Sequence, residues 1–292
     1  MCHGWQHSAG RAAYKPLASP GPRPMFCGME KNRIRFRALG WTMALAATLL
    51  TSPAWCQDSA VTLNYDIELA GTFGFRVQTT LRLADDRYAI DADVRKQGIL
   101  GAVTQSFHAQ VNSRGKVGVN VLNVAASDGR LQAGDEDRRF SYVYGPDGQL
   151  TYDSKPELDV KTGREVTDEQ RRGSLDPLSA AIAAFVSRPD PCVGPVAVFD
   201  GRRRFDLVVE PKGMERVPDG DSVGVKDKGV RCDVRLHRIA GYKPGADSDT
   251  ELTRPARLWL AKLDDSGRLY PVRLEIDIGI GEVVAHLTKF NA

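Results

Sequence analysis

The sequence lacks the short motifs that would assign a chemistry directly. It contains no glycine-rich phosphate loop and no dinucleotide-binding fingerprint. The later histidines, His108, His237 and His286, do not lie at metal-ligand spacings from one another. These absences favour a protein that uses neither a cofactor nor a metal and is not an enzyme.

The chain also lacks an apolar run of the ~20 residues needed to span a bilayer. Its N-terminal run, Ala38–Leu50, is 13 residues long. The basic segment Lys31–Arg37 precedes this run and the small residues of Thr51–Ala54 follow it, which is the order typical of a secretory signal peptide. A membrane anchor is the alternative interpretation.

We therefore expect residues 1–56 to be a leader that is cleaved near Ala54–Cys56. Within it, a start codon assigned too far upstream accounts for residues 1–28, and Met25 or Met29 is the expected true start. The bulky Trp55 beside the cysteine argues against lipidation at that position. Residues 57–292 are then predicted to form a single exported, periplasmic domain without a membrane span.

An excess of either charge is absent from that domain. Residues 1–56 carry seven of the 40 basic residues and one of the 37 acidic residues. The rest of the chain therefore holds 33 basic and 36 acidic residues, a net charge of −3. This near balance excludes the basic footprint expected of a nucleic-acid-binding domain.

Cysteine is scarce, with five residues in the whole chain. After removal of the leader, only Cys192 and Cys232 remain. In an oxidising compartment two cysteines predict one disulfide. Closing a loop of about 40 residues would stabilise the fold by about 4 kcal/mol. Two unpaired buried thiols are the alternative.

The abundant feature is alternation of apolar and polar residues. It runs through Val61–Leu69 and Phe73–Leu83 and recurs along the chain, as expected for half-buried antiparallel strands. Turn residues separate the strands, for example at Ser113–Gly115 and Pro146–Gly148. The pattern predicts an all-β fold: a long antiparallel curled sheet, either an open barrel or a β-spiral.

One amphipathic helix is predicted at Asp176–Ser187. Asp176 is its N-cap, Pro177 suits its first turn, and Ile182 and Phe185 lie on one apolar face. We expect this helix to pack against the concave side of the sheet.

A hairpin is predicted around the turn Asp200-Gly201, between the strands Val196–Phe199 and Arg203–Val209. Alternation splits the arginines after this turn across the sheet, with the middle one opposite to the other two. Solvated or carboxylate-paired side chains are the plain interpretation. The alternative is an anionic ligand that contacts them: Arg202, Arg203 and Arg204.

Gly220–Gly224 matches the G-x-S-x-G pattern of a nucleophile elbow, with Ser222 as the nucleophile. That motif needs a strand before the serine and a helix after it, whereas Gly229–Arg238 has the pattern of a strand. A hydrolase that uses Ser222 is therefore the third choice of function.

Several stretches carry a resemblance to a known family: Ser174–Ala180, Val198–Leu207, the two late cysteines, Ile239–Tyr242 and Pro271-Val272. In these the chain resembles a bacterial exported family catalogued as domain of unknown function 3108, from Leu63 to Leu287. The resemblance implies an envelope protein with no known reaction. The surroundings of Cys232 are also similar to those in a periplasmic cell-envelope integrity family, whose curled sheet is similar to that of Lol-type lipoprotein carriers.

We expect a non-enzymatic envelope-maintenance protein that binds a lipid or another amphipathic ligand in the concavity of its sheet. The strands supply more inward apolar residues than one short helix can cover, so these residues either leave a ligand cavity, which we favour, or pack against each other across a closed sheet. The alternative is a structural protein that contacts cell-wall or outer-membrane components through strand edges. The expected ligand-lining residues are Phe75, Phe185, Ile182 and Phe205.

Overall fold

The computed structural model describes residues 60–84, 86–97, 105–118, 121–160, 165–186, 191–192, 194–218, 223–225, 228–242, 255–278 and 281–292. All of them belong to the compact unit Trp55–Ala292. The expected leader and cleavage site, Ala54–Cys56, lie outside the described residues, and the signal peptide stays a prediction.

The described chain consists mainly of β-strands. The strands are β1 (Ala60–Leu69), β2 (Thr72–Leu83), β3 (Arg87–Lys96), β4 (Phe107–Gly118), β5 (Val121–Ala133), β6 (Glu136–Tyr144), β7 (Leu150–Lys155), β8 (Val196–Phe199), β9 (Arg204–Arg216), β10 (Lys228–Ala240), β11 (Ala256–Ala261), β12 (Tyr270–Asp277) and β13 (Glu282–Asn291). Helix α1 spans Asp168–Arg171, and helix α2 spans Pro177–Ala181 and continues as a π-helical turn over Ile182–Val186.

These strands form one 13-stranded sheet whose hydrogen-bonded neighbours run antiparallel. The order is β7-β6-β5-β4-β3-β2-β1-β13-β12-β11-β10-β9-β8, so the pairing of β1 with β13 joins two halves made of consecutive strands. The edge strands β7 and β8 are not paired with each other within the described residues, and the sheet is not closed. The predicted all-β class with a long open antiparallel sheet is confirmed.

Cross-strand register aligns the inward-facing residues of the β1–β7 half into rows that cross the sheet. We number the rows by their distance from helix α2, since row 1 contacts that helix through Ser113 and Ser179. Row 1 contains Val61, Leu81, Ile90, Ser113, Ser127, Tyr142 and Tyr152; row 2 contains Leu63, Thr79, Ala92, Val111, Gly129, Phe140 and Ser154; row 3 contains Tyr65, Val77, Val94, Ala109, Leu131 and Arg138.

Helix α2 is packed into the core of the sheet. Asp176 caps it by accepting two backbone N–H groups of its first turn, and the proline after the cap fits because a first-turn residue needs no N–H. Ala180 and Ala184 are fully buried against the β8–β13 half, while Ile182 packs with row 1. The predicted helix is therefore confirmed up to Val186, and its last predicted residue lies outside the described part.

Residues 173–176, which we call the seam segment, lie between the two edge strands. On one side, the Gly173 N–H donates to the Gly148 carbonyl oxygen, just before β7, at 2.7 Å. On the other side, Leu175 forms a parallel bridge to Val198 of β8. The two ends of the sheet are thus connected through this segment and not by direct strand pairing.

The turn predicted at Ser113–Gly115 is wrong. Strand β4 continues through it to Gly118, with a bulge next to Gly115. A Cβ on Gly115 would lie 2.3 Å from the Asn123 carbonyl oxygen and 2.8 Å from the Tyr88 ring. Glycine at this position therefore lets β4 lie close to β3 and β5. Close approach of neighbouring backbone is a reason for glycine inside a strand, as distinct from glycine in a turn.

Candidate functional site

The concave face of the β1–β7 half divides into a covered part and an open part. Row 1 is covered, since its members from Val61 to Tyr142 are each at most 5 % exposed. Row 3 is open, and all its side chains are half-buried. Both rows face the same side because they are an even number of residues apart along each strand. The open part therefore presents apolar side chains that the protein covers only in part.

Of the predicted ligand-lining residues, only Phe75 lies on the concave face of the β1–β7 half. Phe75, one step beyond row 3, is half-buried and packs edge-on against Phe107, with ring centroids 5.5 Å apart. Phe185 and Phe205 are half-buried against the cluster of the β8–β13 half. Ile182 is 1 % exposed, so it supports the concave face from within the core and offers almost no surface to a ligand.

An open pocket of about 460 Å³ lies where the two ends of the sheet meet, and we call it the seam pocket. Its floor is aromatic, since the rings of Phe140, Tyr142 and Tyr152 have centroids between 5.1 and 6.1 Å apart. Its volume falls within the ~300–1,000 Å³ typical of small-ligand sites. Its charged lining residues are Glu136, Arg138, Asp200, Arg202 and Arg203.

The seam pocket continues row 3. Leu131 and Arg138, the last members of that row, both line the pocket. Five inter-strand spacings of about 4.8 Å separate Tyr65 from Arg138, so the row is about 24 Å long. One surface thus runs from the open apolar part of the concave face to the charged pocket.

The hairpin loop that lines this pocket is longer than the sequence predicts. Phe199 pairs with Arg204, so residues 200–203 form the loop instead of two residues. The Asp200 side chain explains the difference, because its Oδ1 accepts the N–H groups of the next two arginines at 2.8 and 2.7 Å. The expected two-residue turn at Asp200-Gly201 is therefore wrong: the Asp200 N–H donates to the Arg203 carbonyl oxygen at 3.1 Å, and the Asp200 side chain caps the loop from within.

The longer loop also changes where the arginines lie. The predicted separation of Arg202 and Arg203 across the sheet is wrong, because both belong to the loop and line the seam pocket. Arg204 is set apart: its Nη1 lies 2.7 Å from Asp206 Oδ1, and its Nε donates to the Gln170 carbonyl oxygen. The structure therefore brings two of the three predicted anion contacts to one site.

Two glycines fix this loop against its surroundings. Gly201 has φ +94°, and a Cβ there would lie 2.8 Å from the Tyr152 ring. Gly241 has φ +89°, and a Cβ there would lie 2.2 Å from the Arg202 carbonyl oxygen. Positive φ and close packing together admit only glycine. These glycines belong to Val198–Leu207 and Ile239–Tyr242, two of the stretches that carry the family resemblance. The two stretches therefore pack against each other at the seam.

A buried hydrogen-bond network joins helix α2 to the sheet. Asp176, which is 0 % exposed, accepts the Tyr144 hydroxyl at 2.7 Å and also the Ser179 hydroxyl on Oδ2. Ser179 Oγ lies 2.6 Å from Ser113 Oγ and 3.0 Å from the Tyr88 hydroxyl. Sequence reasoning identified the aspartate as a cap but missed its partners. A serine at an inward-facing strand position was the available signal.

This network is closed to substrates. Burial raises the pKa of the Tyr144 hydroxyl, and the nearby Asp176 raises it further. A serine beside a carboxyl group can serve nucleophilic catalysis, but both Ser179 and Asp176 are fully buried. Buried polar groups that satisfy each other fix neighbouring elements in one arrangement, so the network positions the helix.

The predicted disulfide between Cys192 and Cys232 is present, with Cα atoms 5.8 Å apart. Both cysteines are buried in the cluster that also contains Ala184. The bond therefore ties the chain that follows the π-helical turn to β10.

The structure does not test the remaining prediction of chemistry, the serine nucleophile. Ser222 lies outside the described residues, so the nucleophile elbow stays a prediction. No group of three or more potential ligands that could hold a metal ion occurs in the part of the chain that the structure describes. In the same part, no helix has the length and apolar character of a membrane span.

Comparisons with known proteins identify a family without an assigned activity. The family described as "Protein of unknown function (DUF3108)" matches residues 60–288. No curated protein and no solved structure matches the chain significantly. The similarity to Lol-type carriers therefore stays a prediction.

Proposed function

We propose that this chain, which belongs to the DUF3108 family, binds a lipid or another amphipathic ligand in the concavity of its sheet. One observation carries the proposal: the apolar members of row 3, from Tyr65 to Leu131, line the concave face and are only half-buried. Covering apolar surface contributes roughly 25 cal/mol per Å². In this proposal the protein is exported, acts in the cell envelope and performs no catalysis.

The position of helix α2 supports the proposal. The seam segment and the network around Asp176 hold the helix against row 1. Its buried residues Ala180, Ile182 and Ala184 are already packed there and against the other half. The helix therefore leaves the apolar side chains of row 3 available to a ligand.

The outer face favours a second candidate, contact with a cell-wall component. A cleft of about 520 Å³ on β2–β6 is lined by hydrogen-bonding side chains that suit a polar polymer such as a glycan. This candidate is weaker because several of those groups already pair with each other, as Asn112 does with Asp128 and Gln110 with Asp93.

Two tryptophan substitutions on one strand separate the candidates. Val77→Trp places a large ring in row 3, next to Tyr65, whereas Gln78→Trp is its matched control on the opposite face and lies in the outer cleft. With dodecyl maltoside as a neutral amphiphile, we expect calorimetry to show binding that Val77→Trp weakens at least about tenfold, a loss of about 1.4 kcal/mol. Gln78→Trp should leave this binding unchanged.

The proposal fails if the unmodified protein binds no amphiphile, or if the two variants weaken binding equally. Binding of a soluble peptidoglycan fragment that only Gln78→Trp abolishes would instead support the cell-wall candidate.

A further inference from the structure

We infer that the seam pocket holds the anionic headgroup of the ligand, so that the ligand class is an anionic amphiphile with a phosphate, sulfate or carboxylate group. This inference rests on the proposed function, in which row 3 takes the apolar tail. An amphiphile that lies along row 3 reaches Arg138 with its head, because that row ends on the arginine.

The charges of the pocket favour an anion. Three guanidinium groups line it against two carboxyl groups, and both carboxyl groups are already engaged. Asp200 accepts the N–H groups of its own loop, and Glu136 pairs with Arg138 at 2.7 Å. Arg202 is exposed, and no carboxyl group among the described residues pairs with it. A positive charge therefore remains at the mouth of the pocket.

A buried donor in the pocket also lacks an acceptor. Arg138 uses Nε and Nη2 to bind Glu136, while its buried Nη1 has no hydrogen-bond partner among the described residues. A buried donor without an acceptor costs about 1–3 kcal/mol. An anionic oxygen between Arg138 and Arg202 would supply that acceptor in a charge-assisted hydrogen bond.

The aromatic floor places these two arginines around one ring. Burial raises the pKa of the Tyr152 hydroxyl, whereas Arg138 and Arg202 lower it, because both guanidinium groups lie near its oxygen. Asp200 opposes them from the loop. The aromatic rings of the floor thus offer an apolar surface to the tail of an amphiphile, and the arginines at the rim offer positive charge to its anionic headgroup.

The test compares dodecyl phosphate, dodecyl maltoside and inorganic phosphate by calorimetry on the full chain. We expect dodecyl phosphate to bind at least about tenfold tighter than the maltoside, with an advantage that falls as salt is added. Arg202→Ala should remove most of this advantage, because it weakens dodecyl phosphate binding far more than maltoside binding. Arg235→Ala, at an exposed arginine of β10 outside the pocket, is the matched control and should change neither.

Each other outcome overturns the inference in a distinguishable way. If the maltoside binds and Val77→Trp blocks it, but dodecyl phosphate has no advantage, the proposed function stands and the headgroup site fails. If inorganic phosphate binds as tightly as dodecyl phosphate, the pocket is a site for free anions. If no amphiphile binds, the proposed function fails as well.

Discussion

Tyr144 and Asp176 exchange two hydrogen bonds in opposite directions. The tyrosine hydroxyl donates to Asp176 Oδ2 at 2.7 Å and accepts the Asp176 N–H at 2.8 Å. Tyr144 ends β6, whereas Asp176 closes the seam segment and caps helix α2. A single hydroxyl group therefore connects the end of the sheet, the seam and the helix.

Tyr144→Phe should destabilise the protein by about 2–4 kcal/mol, because it leaves a buried N–H and a buried carboxyl group each short of a partner. Urea unfolding measures this change. Tyr152→Phe is the matched control: that hydroxyl bonds Ser154 from a half-buried position, and its loss should cost less than about 1.5 kcal/mol. Equal losses of unfolding free energy in the two variants would show that the network around Asp176 stabilises the fold no more than a half-buried hydrogen bond does.

Gly241→Ala should disrupt the loop at residues 200–203. Gly241 has φ +89° and lies against the Arg202 carbonyl oxygen, whereas Gly213 has φ +93° with nothing within 4 Å. Gly213→Ala should therefore cost only the conformational strain of about 1–2 kcal/mol. We expect Gly241→Ala to cost clearly more by thermal unfolding and to weaken dodecyl phosphate binding. A melting temperature equal to that of Gly213→Ala would contradict the close packing of Gly241 against the Arg202 carbonyl oxygen.

Local patterns in the sequence predict the sheet and the helix of this protein. Alternation along Val61–Leu69 marks a strand whether or not its partners are known, because burial on one face acts on each residue separately. Asp176 and Pro177 likewise mark a helix start through contacts within one turn. Helix α1 and strand β7 were missed because they are short, with four and six residues.

The candidate site could not be predicted in the same way. Row 3 depends on the register of six neighbouring strands, and a shift by one residue would turn its side chains outward. The seam pocket further depends on the curl that brings Tyr152 to Phe199, with ring centroids 6.2 Å apart. The only local sequence signals of this long-range geometry are the glycine at residue 201 and the loop aspartate at residue 200.

Loss of the disulfide should destabilise the protein strongly. Cys192 and Cys232 are 40 residues apart in the sequence, and a closed loop of that length is worth about 4 kcal/mol in chain entropy. Cys192→Ser should lower the free energy of unfolding by about 2–5 kcal/mol. The same loss should appear in the unmodified protein after reduction in urea. A variant as stable as the oxidised parent would show that the disulfide contributes nothing measurable to the free energy of unfolding.

Alkaline pH should unfold the protein steeply. Burial raises the pKa of the hydroxyl groups of Tyr65, Tyr88, Tyr142 and Tyr144 above the ordinary value of 10.0. Above about pH 10 the unfolded chain therefore loses protons that the folded chain retains. The unfolded state then binds fewer protons, so the free energy of unfolding falls with rising pH.

Each such tyrosine contributes a slope of about −1.4 kcal/mol per pH unit, which begins near pH 10 and ends only at its raised folded pKa. We expect tyrosinate absorbance of the folded protein to rise late and together with the loss of β-sheet circular dichroism, whereas the chain in urea should titrate near pH 10. Tyr144→Phe should make the fall in stability shallower by the slope of one proton. Gradual ionisation near pH 10 in a protein that keeps its sheet would show that these hydroxyl groups are open to solvent, and the buried network would then not be the anchor of helix α2.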